Sequence, residues 1–187
     1  MNTMLRTSIL YASETYYNLK ENEMRYIERI EESFLRQLVS SKRFCKISLI
    51  YLEFGIWPAR YEIQRLRLLF FKYILDQEES STIYRFLKKQ TESKIKGDWI
   101  SMCIRDLSEL KIELTFEEIK LMKKSKFKTI LKNGIMNTAF QCLMSNIQNK
   151  GKEIQYKELT MSEYLLPNDF LNIEDKKFIF SLRTKTF

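Results

Sequence analysis

Apolar and polar residues follow one another along this chain with the period of an α-helix. Apolar side chains recur at every third or fourth position over most of the length, which is the spacing of one helix face. The pattern predicts an all-α fold, a multi-helix bundle of roughly seven to nine helices. The segments that show it are 3–17, 20–39, 47–54, 59–75, 81–92, 125–149 and 173–182. The one strand candidate, 153–156, is too short to change this prediction.

Residues that favour helix ends stand at the borders of several segments. Gly55 is a natural C′ residue for the apolar segment before it. Asp98 is placed to cap the helix that follows it. Thr115 and Glu118 have the spacing of a capping box, in which each side chain accepts a hydrogen bond from the other residue's backbone N–H. These signals predict where individual helices begin and end.

The residue inventory excludes several kinds of active site. The chain has no histidine, which rules out Ser/His/Asp and Cys/His triads, an imidazole general base and His-containing zinc sites. Four glycines and two prolines make Gly-rich phosphate loops a poor fit. Carboxylate pairs such as Glu117 and Glu118 point about 100° apart on a helix, and we interpret them as solvated faces. We therefore expect no enzymatic activity, no cofactor and no bound metal.

The cysteines and the apolar runs bear on the compartment. Cys45, Cys103 and Cys142 are odd in number, far apart and without a C-x-x-C pair, which does not suggest a disulfide-stapled secreted domain. The longest unbroken apolar run is Leu68–Phe71, so the sequence predicts no membrane span and no signal peptide. We expect an intracellular location, cytoplasmic or nuclear.

Positive charge is concentrated in one stretch of the chain. Residues 119–152 carry eight lysines and no acidic residue, whereas the rest of the chain has 24 basic and 24 acidic residues. A stretch of one sign is typical of a surface that meets phosphates. A solvated face enriched in lysine by compositional bias is the alternative. Five of the lysines surround a predicted helix start: Lys123, Lys124, Lys126, Lys128 and Lys132.

A second basic group lies on the helix predicted over 59–75. It consists of Arg60, Arg65, Arg67 and Lys72, with aromatic residues interleaved. We interpret the basic residues as surface contacts to a nucleic-acid backbone. We assign the aromatics to the core, because they belong to a stripe at helical spacing that comprises Ile63, Leu66, Phe70, Tyr73 and Ile74.

Two functions compete at this point. One is sequence-nonspecific binding of RNA, DNA or an RNA–DNA hybrid through phosphate contacts. The other is a helical protein-interaction module with no nucleic-acid role, in which an apolar groove around Ile56 and Trp57 receives a partner. Salt separates them, since nucleic-acid binding weakens steeply as the salt concentration rises.

Several short segments resemble, in order, the region after the polymerase palm in reverse transcriptases of non-LTR (LINE-like) retrotransposons. Residues 10–16 resemble the family's L-Y-G-S-E-T-W, with Ala12 in place of Gly and Tyr16 in place of Trp. The other segments that carry the resemblance are Ile30–Arg36, Tyr51–Tyr61, Gly97–Trp99 and Phe178–Thr184. Together they span nearly the whole chain.

The resemblance implies a non-catalytic portion of an RNA-directed DNA polymerase. Residues 1–92 would form a thumb-like helical bundle that grips the template-primer backbone, and residues 93–187 a helical linker region with the basic segment 119–152. The family's catalytic aspartates belong to the palm, and a zinc knuckle and a nuclease usually follow. The expected partners are therefore the missing palm and zinc-knuckle portions, and the chain would be a fragment, a degenerate copy or a separately expressed piece.

Overall fold

Helices make up the secondary structure of the part of the chain that a computed structural model describes, namely residues 7–8, 10–16, 19–38, 46–93 and 97–148. No strand is present among these residues, and the prediction of an all-α fold is confirmed. None of their helices is long and apolar enough to cross a membrane. A short 3₁₀ turn covers Ser13–Thr15, and the bounded α-helices are α1 (Glu21–Leu38), α2 (Ile47–Phe54), α3 (Ala59–Leu75), α4 (Thr82–Ser93), α5 (Trp99–Glu109), α6 (Phe116–Leu121) and α7 (Lys124–Gln148).

Most predicted helices are confirmed, and one is wrong. The segments 20–39, 47–54, 59–75, 81–92 and 125–149 correspond to α1, α2, α3, α4 and α7, whose bounds differ by at most one residue. The helix predicted over 3–17 is wrong at 10–16, where Leu10–Ala12 form a turn and the 3₁₀ turn follows. The strand candidate 153–156 and the helix predicted over 173–182 lie outside the described residues.

The chain divides into two compact units, each assembled from two separate stretches. Unit 1 comprises Met1–Met24 and Ala59–Thr138, and unit 2 comprises Arg25–Pro58 and Ala139–Phe187. The boundary predicted between residues 92 and 93 falls inside the second stretch of unit 1.

In unit 1, α3 is the central helix. It contacts the N-terminal turn, α4, α5 and α6. Its residues Ile63, Leu68 and Phe71 are fully buried. The Phe71 ring packs 4.9 Å from the ring of Phe116 and 6.1 Å from that of Trp99, measured between centroids. Apolar burial on this scale is the main stabilising contribution to such a unit.

The N-terminal turn is held against α3 and α5 by hydrogen bonds to its backbone. Trp99 Nε1 donates to the Glu14 carbonyl at 3.0 Å, and a guanidinium nitrogen of Arg67 donates to the Tyr16 carbonyl at 3.1 Å. Ala12 has the left-handed backbone conformation, with φ of 55°. The turn is thus fixed by side chains that come from distant parts of the sequence.

Unit 2 has a buried polar contact within an apolar core. The Tyr51 hydroxyl on α2 donates to the Glu31 carboxylate on α1 at 2.8 Å, and both side chains are almost fully buried. Burial and the neighbouring Glu31 charge raise the pKa of Tyr51. The Lys46 ammonium donates to the Ile147 carbonyl at 2.9 Å, where a cation is favoured by the C-terminal end of a helix dipole. The core of this unit includes Leu35, Leu49, Ile50, Leu52 and Leu143.

The predicted helix ends are confirmed in detail. The Asp98 side chain accepts a hydrogen bond from the Ser101 N–H at 2.7 Å, and Thr115 and Glu118 form the complete capping box. Hydrogen bonding to Thr115 lowers the pKa of Glu118. Gly55 ends α2 with φ of 61°. These signals are local, so the sequence alone contains them.

α5 ends in the same kind of turn as α2, but without a glycine. The N–H of Ile112 donates to the Leu107 carbonyl and that of Lys111 to the Ser108 carbonyl, which is the hydrogen-bond pattern of a Schellman motif. Lys111 occupies the left-handed C′ position with φ of 56°. α7 passes close to this segment, since a Cβ on Gly134 would lie 3.2 Å from the Leu110 carbonyl oxygen.

Candidate nucleic-acid interface

α7 carries its side chains in four rows at a spacing of four residues. One row is buried throughout, and it consists of Phe127, Leu131, Ile135, Ala139, Leu143 and Ile147. Because four residues turn a helix by about 400°, each row winds slowly around the axis. Two rows flank the buried row, and the fourth lies opposite it. The apolar side chains of Ile130 and Phe140 belong to the flanking rows and are half-buried.

The first half of one flanking row is basic. Lys124, Lys128 and Lys132 follow one another at intervals of about 6 Å along the axis, and all three are exposed. We call these three residues the lysine row. Lys126 is exposed on the other flank, and Lys123 is exposed immediately before the helix. None of these five lysines forms an ion pair or a hydrogen bond through its side chain with another described residue.

The row opposite the buried one is polar and uncharged, and we call it the outer row. All its members are exposed, and they are Ser125, Thr129, Asn133, Asn137, Gln141 and Ser145. Hydroxyl, amide and ammonium groups are the side-chain donors that bind phosphate oxygens in nucleic-acid complexes. The lysine row and the outer row therefore form a continuous face with no carboxylate among its side chains, in which the hydroxyls of Thr129 and Ser145 already donate to backbone carbonyls of α7.

The charge of Lys120 is compensated by side chains from other parts of the chain. Its ammonium lies 3.2 Å from a Glu79 carboxylate oxygen and donates to the Tyr84 hydroxyl at 3.0 Å. Both hydrogen bonds, first that to Tyr84, raise the pKa of Lys120. Although Lys120 belongs to the acid-free stretch of the sequence, a distant glutamate compensates its charge. The basic face is therefore smaller than the sequence predicts.

The prediction that Arg67 lies at the surface and contacts a nucleic-acid backbone is wrong, because Arg67 is buried. Its side chain is 2% exposed and forms an ion pair with Asp106 at 2.5 Å, and it also donates to the Tyr16 carbonyl. Burial raises the pKa of the Asp106 carboxyl, and the Arg67 guanidinium opposes that shift. Arg67 thus joins α3, α5 and the N-terminal turn and is not accessible to a phosphate.

Lys72 is likewise buried, and its predicted surface role is wrong. Its ammonium pairs with Asp76 at 2.5 Å and donates to the Lys120 carbonyl at 3.1 Å, near the end of α6. Its side chain is 2% exposed. A buried ammonium requires such partners, because an unpaired buried charge is strongly destabilising.

Arg60 and Arg65 are partly exposed, and both are paired. Arg60 lies 2.9 Å from Glu21, and Arg65 forms a bidentate contact with Glu62 one turn earlier on α3. A phosphate would have to compete with these carboxylates. The structure thus places two of the four predicted basic residues of α3 at the surface, each with a carboxylate beside it.

The aromatic residues of α3 are divided between core and surface. Phe71 and Tyr61 are buried and Phe70 is half-buried, in agreement with the predicted core assignment. Tyr73 is 46% exposed, so that assignment is wrong for Tyr73. Its ring stacks on Phe70 with 6.0 Å between centroids. Phe70 also lines an apolar pocket of unit 1.

The position of Arg67 on α3 is itself a sequence signal for its burial. On a helical wheel Arg67 lies between Ile63 and Phe71, in the middle of the apolar arc of α3. A charged residue in that position needs a buried partner. The sequence does not identify Asp106 as this partner, because Asp106 lies on another helix 39 residues away.

Other candidate groups give no further site in the described residues. No group of three or more His, Cys, Asp or Glu side chains there is arranged to hold a metal. Cys103 is buried and Cys142 is exposed, both as free thiols, and Cys45 lies outside the described residues. Ile56 and Trp57, predicted to border a groove, are half-buried.

The exposed lysines of α7, with the uncharged outer row beside them, are thus the part of the predicted site that the structure keeps accessible. Comparisons of the chain with protein-family models, with curated proteins and with solved structures found no match.

Proposed function

We propose that this chain is a sequence-nonspecific nucleic-acid-binding helical fragment of a retroelement reverse transcriptase, which grips the backbone of a template-primer. The ligand is RNA, DNA or an RNA–DNA hybrid. Phosphate contacts position a protein on such a ligand without reading the bases. The proposal assigns no catalysis to the chain and places it inside the cell, in the cytoplasm or the nucleus, with palm and zinc-knuckle portions as partners.

The observation that carries the proposal is the accessible, acid-free face of α7. Five exposed lysines gather at its N-terminal half, and their neighbours on the outer row are hydroxyls and amides. A surface that binds phosphate gains free energy by releasing the counterions of each phosphate it neutralises. The ion-paired Arg60 and Arg65 contribute less, and we exclude the buried Arg67 and Lys72.

The segments that resemble the retrotransposon family contact one another in the fold. The segment 10–16 contacts the segment 97–99 through Trp99 and Glu14, and Ile30–Arg36 contacts Tyr51–Tyr61 through a buried hydrogen bond. Ala12, which stands where the family has Gly, adopts the left-handed conformation that glycine tolerates without steric cost. These residues have structural roles in the chain.

Binding to duplex DNA over a range of salt concentrations tests the proposal. Replacing Lys124, Lys128 and Lys132 by glutamine removes the charge of the lysine row and leaves the buried row untouched. If each lysine contacts a phosphate, the slope of log K against log salt shrinks by roughly 2.7, at about 0.9 per contact. Replacing Lys126 alone by glutamine should reduce this slope by less than the value of about 0.9 for one phosphate contact. The reason is that Lys126 lies on the flank of α7 opposite the lysine row.

The matched control replaces the same three lysines by arginine, which retains the charge and keeps the slope. Circular dichroism establishes that both variants have the wild-type helix content. A glutamine variant that is folded and keeps the affinity and slope of the wild type contradicts the proposal. The lysine row is then a solvated face, and the protein-interaction module becomes the better description.

A further inference from the structure

Unit 1 contains an apolar pocket in addition to the basic face of α7. The pocket has a volume of about 380 Å³ and lies between α3, α4 and the start of α5. This is the size of pockets that hold small organic groups, which span about 300–1,000 Å³. Its apolar walls include Phe70, Ile83, Phe86 and Trp99.

The aromatic residues of this pocket are more exposed to solvent than aromatic residues of a protein core usually are. Phe86 is 62% exposed, and Phe70 and Trp99 are half-buried with their rings in an edge-to-face contact at 5.8 Å. Tyr73 continues the exposed aromatic surface by stacking on Phe70. An exposed cluster of rings offers flat faces on which another planar group stacks.

Positive charge borders the exposed ring. On α4, Lys89 is one turn from Phe86 and lies beside it on the helix surface, whereas Arg85 is one turn from Lys89 and points about 100° away from Phe86. Arg85 and Lys89 are exposed, and neither forms an ion pair with another described residue. Like charges one turn apart destabilise a helix slightly. Lys89 therefore places positive charge beside Phe86, and Arg85 extends this charge along the exposed surface of α4.

The polar groups of the lining are mostly engaged within the protein. Trp99 Nε1 donates to Glu14, Asp98 caps α5 and the Thr15 hydroxyl donates to the Ala12 carbonyl. Gln90 supplies the remaining polar side chain of the lining. A planar ligand would therefore be held by its faces more than by hydrogen bonds to its edges.

We infer that this pocket stacks unpaired nucleobases of a single-stranded nucleic acid, while Arg85 and Lys89 contact the adjoining phosphates. Aromatic rings bordered by basic residues are the arrangement that binds single strands with little base preference. A protein partner with an apolar helix would use the rings but not the unpaired basic rim. The inference rests on the proposed nucleic-acid role and adds a second site, selective for bases that are not paired.

Three labelled ligands separate base contacts from phosphate contacts, because each variant is compared with the wild type on the same ligand. They are an oligo(dT) of about 12 nucleotides, the same strand with abasic sites throughout, and a duplex. Fluorescence anisotropy at fixed salt gives the affinity of the full chain for each. Phe86→Ala is expected to weaken oligo(dT) binding about 5- to 150-fold, as loss of one stacked base does, and to leave the affinities for the abasic strand and the duplex unchanged.

Two further variants make the result specific. Phe86→Trp retains a stacking face and is expected to restore binding of oligo(dT). Tyr26→Ala removes an aromatic side chain that is 69% exposed on α1 and is expected to change nothing. Replacing Arg85 and Lys89 together by glutamine should weaken the base-containing and the abasic strand equally, because phosphates are present in both. Oligo(U) in place of oligo(dT) shows whether RNA is held in the same way.

The inference is overturned if a folded Phe86→Ala variant binds oligo(dT) as tightly as the wild type, or if it weakens the abasic strand to the same extent. Failure of the proposed function has a different signature. In that case, replacement of the lysine row by glutamine leaves the affinities for all three ligands unchanged, or the wild type binds none of them.

Discussion

Arg67 and Asp106 face each other in the core of unit 1, and each side chain is 2% exposed. Removing two charges from water costs several kcal/mol per ion, and their attraction roughly offsets this cost when the geometry is good. The pair therefore adds little net stability over an apolar pair, but each member depends on the other. Arg67 also holds the Tyr16 carbonyl, so its loss affects the N-terminal turn as well.

We predict that Arg67→Met lowers the free energy of unfolding by about 3–5 kcal/mol, because Asp106 remains buried without its counter-charge. Arg67→Met combined with Asp106→Leu should recover most of the loss. Urea unfolding of the two single variants and the double variant provides the measurement.

A pH series gives an independent check on the Arg67→Met variant. Without the guanidinium, the pKa of the buried Asp106 rises further above its unfolded value, so the folded state binds more protons than the unfolded state. The loss of stability should therefore shrink as the pH falls. This account of the ion pair would be contradicted if the Arg67→Met variant and the double variant were equally stable at neutral pH.

Sequence patterns locate buried apolar residues better than buried charges. The stripe predicted on α3 identifies Ile63 and Ile74 correctly as buried, whereas Leu66 and Phe70 are half-buried and Tyr73 is exposed. Residue type alone does not distinguish Arg67 and Lys72 from arginines and lysines at the surface. Their burial depends on Asp106 and on the Lys120 carbonyl, which the chain brings near through tertiary structure.

Helix ends are the elements where the sequence was most informative. Asp98, Thr115 and Glu118 act through hydrogen bonds to residues three positions away, so their roles follow from local spacing. The end of α5 lacked such a signal. There Lys111 adopts the left-handed conformation, which costs glycine least. Contacts formed in the tertiary fold offset the steric cost for lysine.

The end of α5 provides a matched pair of substitutions. Lys111→Gly and Lys111→Ala both remove the lysine side chain, and they differ in the cost of a positive φ. We expect the glycine variant to be more stable than the alanine variant by about 1 kcal/mol, measured by urea unfolding. Gly55→Ala at the end of α2 is the converse change and should destabilise by a similar amount or more. Equal stabilities for the two Lys111 variants would show that the backbone relaxes out of the left-handed conformation.

α7 shows how a single helix combines a structural and a surface role. The sequence predicted the helix and its lysines but not the division of those lysines between two flanks. That division follows from the buried row, in which Ala139 takes part although its small side chain gave no signal in the apolar pattern. The lysine row faces solvent because the buried row at the same level faces the core.

At the scale of the whole molecule, the two units alternate along the chain, and the helical pattern of the sequence does not predict this alternation. The chain leaves unit 1 after Met24 and returns at Ala59. The first point lies within α1 and has no mark in the sequence, whereas the second follows Pro58 and coincides with the start of α3. Only contacts between distant residues, such as Trp99 with Glu14, define the units.

A fragment ending at residue 92 tests whether the predicted thumb-like segment folds alone. We expect residues 1–92 to lack a cooperative urea transition, because α3 would lose α5 and α6 and the buried Arg67 would lose Asp106. Circular dichroism and intrinsic fluorescence during urea titration provide the measurement, with the full chain as control. A steep, coincident transition in both signals would show that the segment is an independent folding unit.

The contact between Trp99 and the N-terminal turn also has a consequence for biosynthesis. The two partners are 85 residues apart, and ribosomes add about 5–20 residues per second. Roughly 4–17 seconds therefore pass between the synthesis of Glu14 and that of the indole that holds it. During this interval the Glu14 carbonyl lacks the donor that holds it in the finished protein, so the N-terminal turn cannot reach its final arrangement before α5 begins to be synthesised.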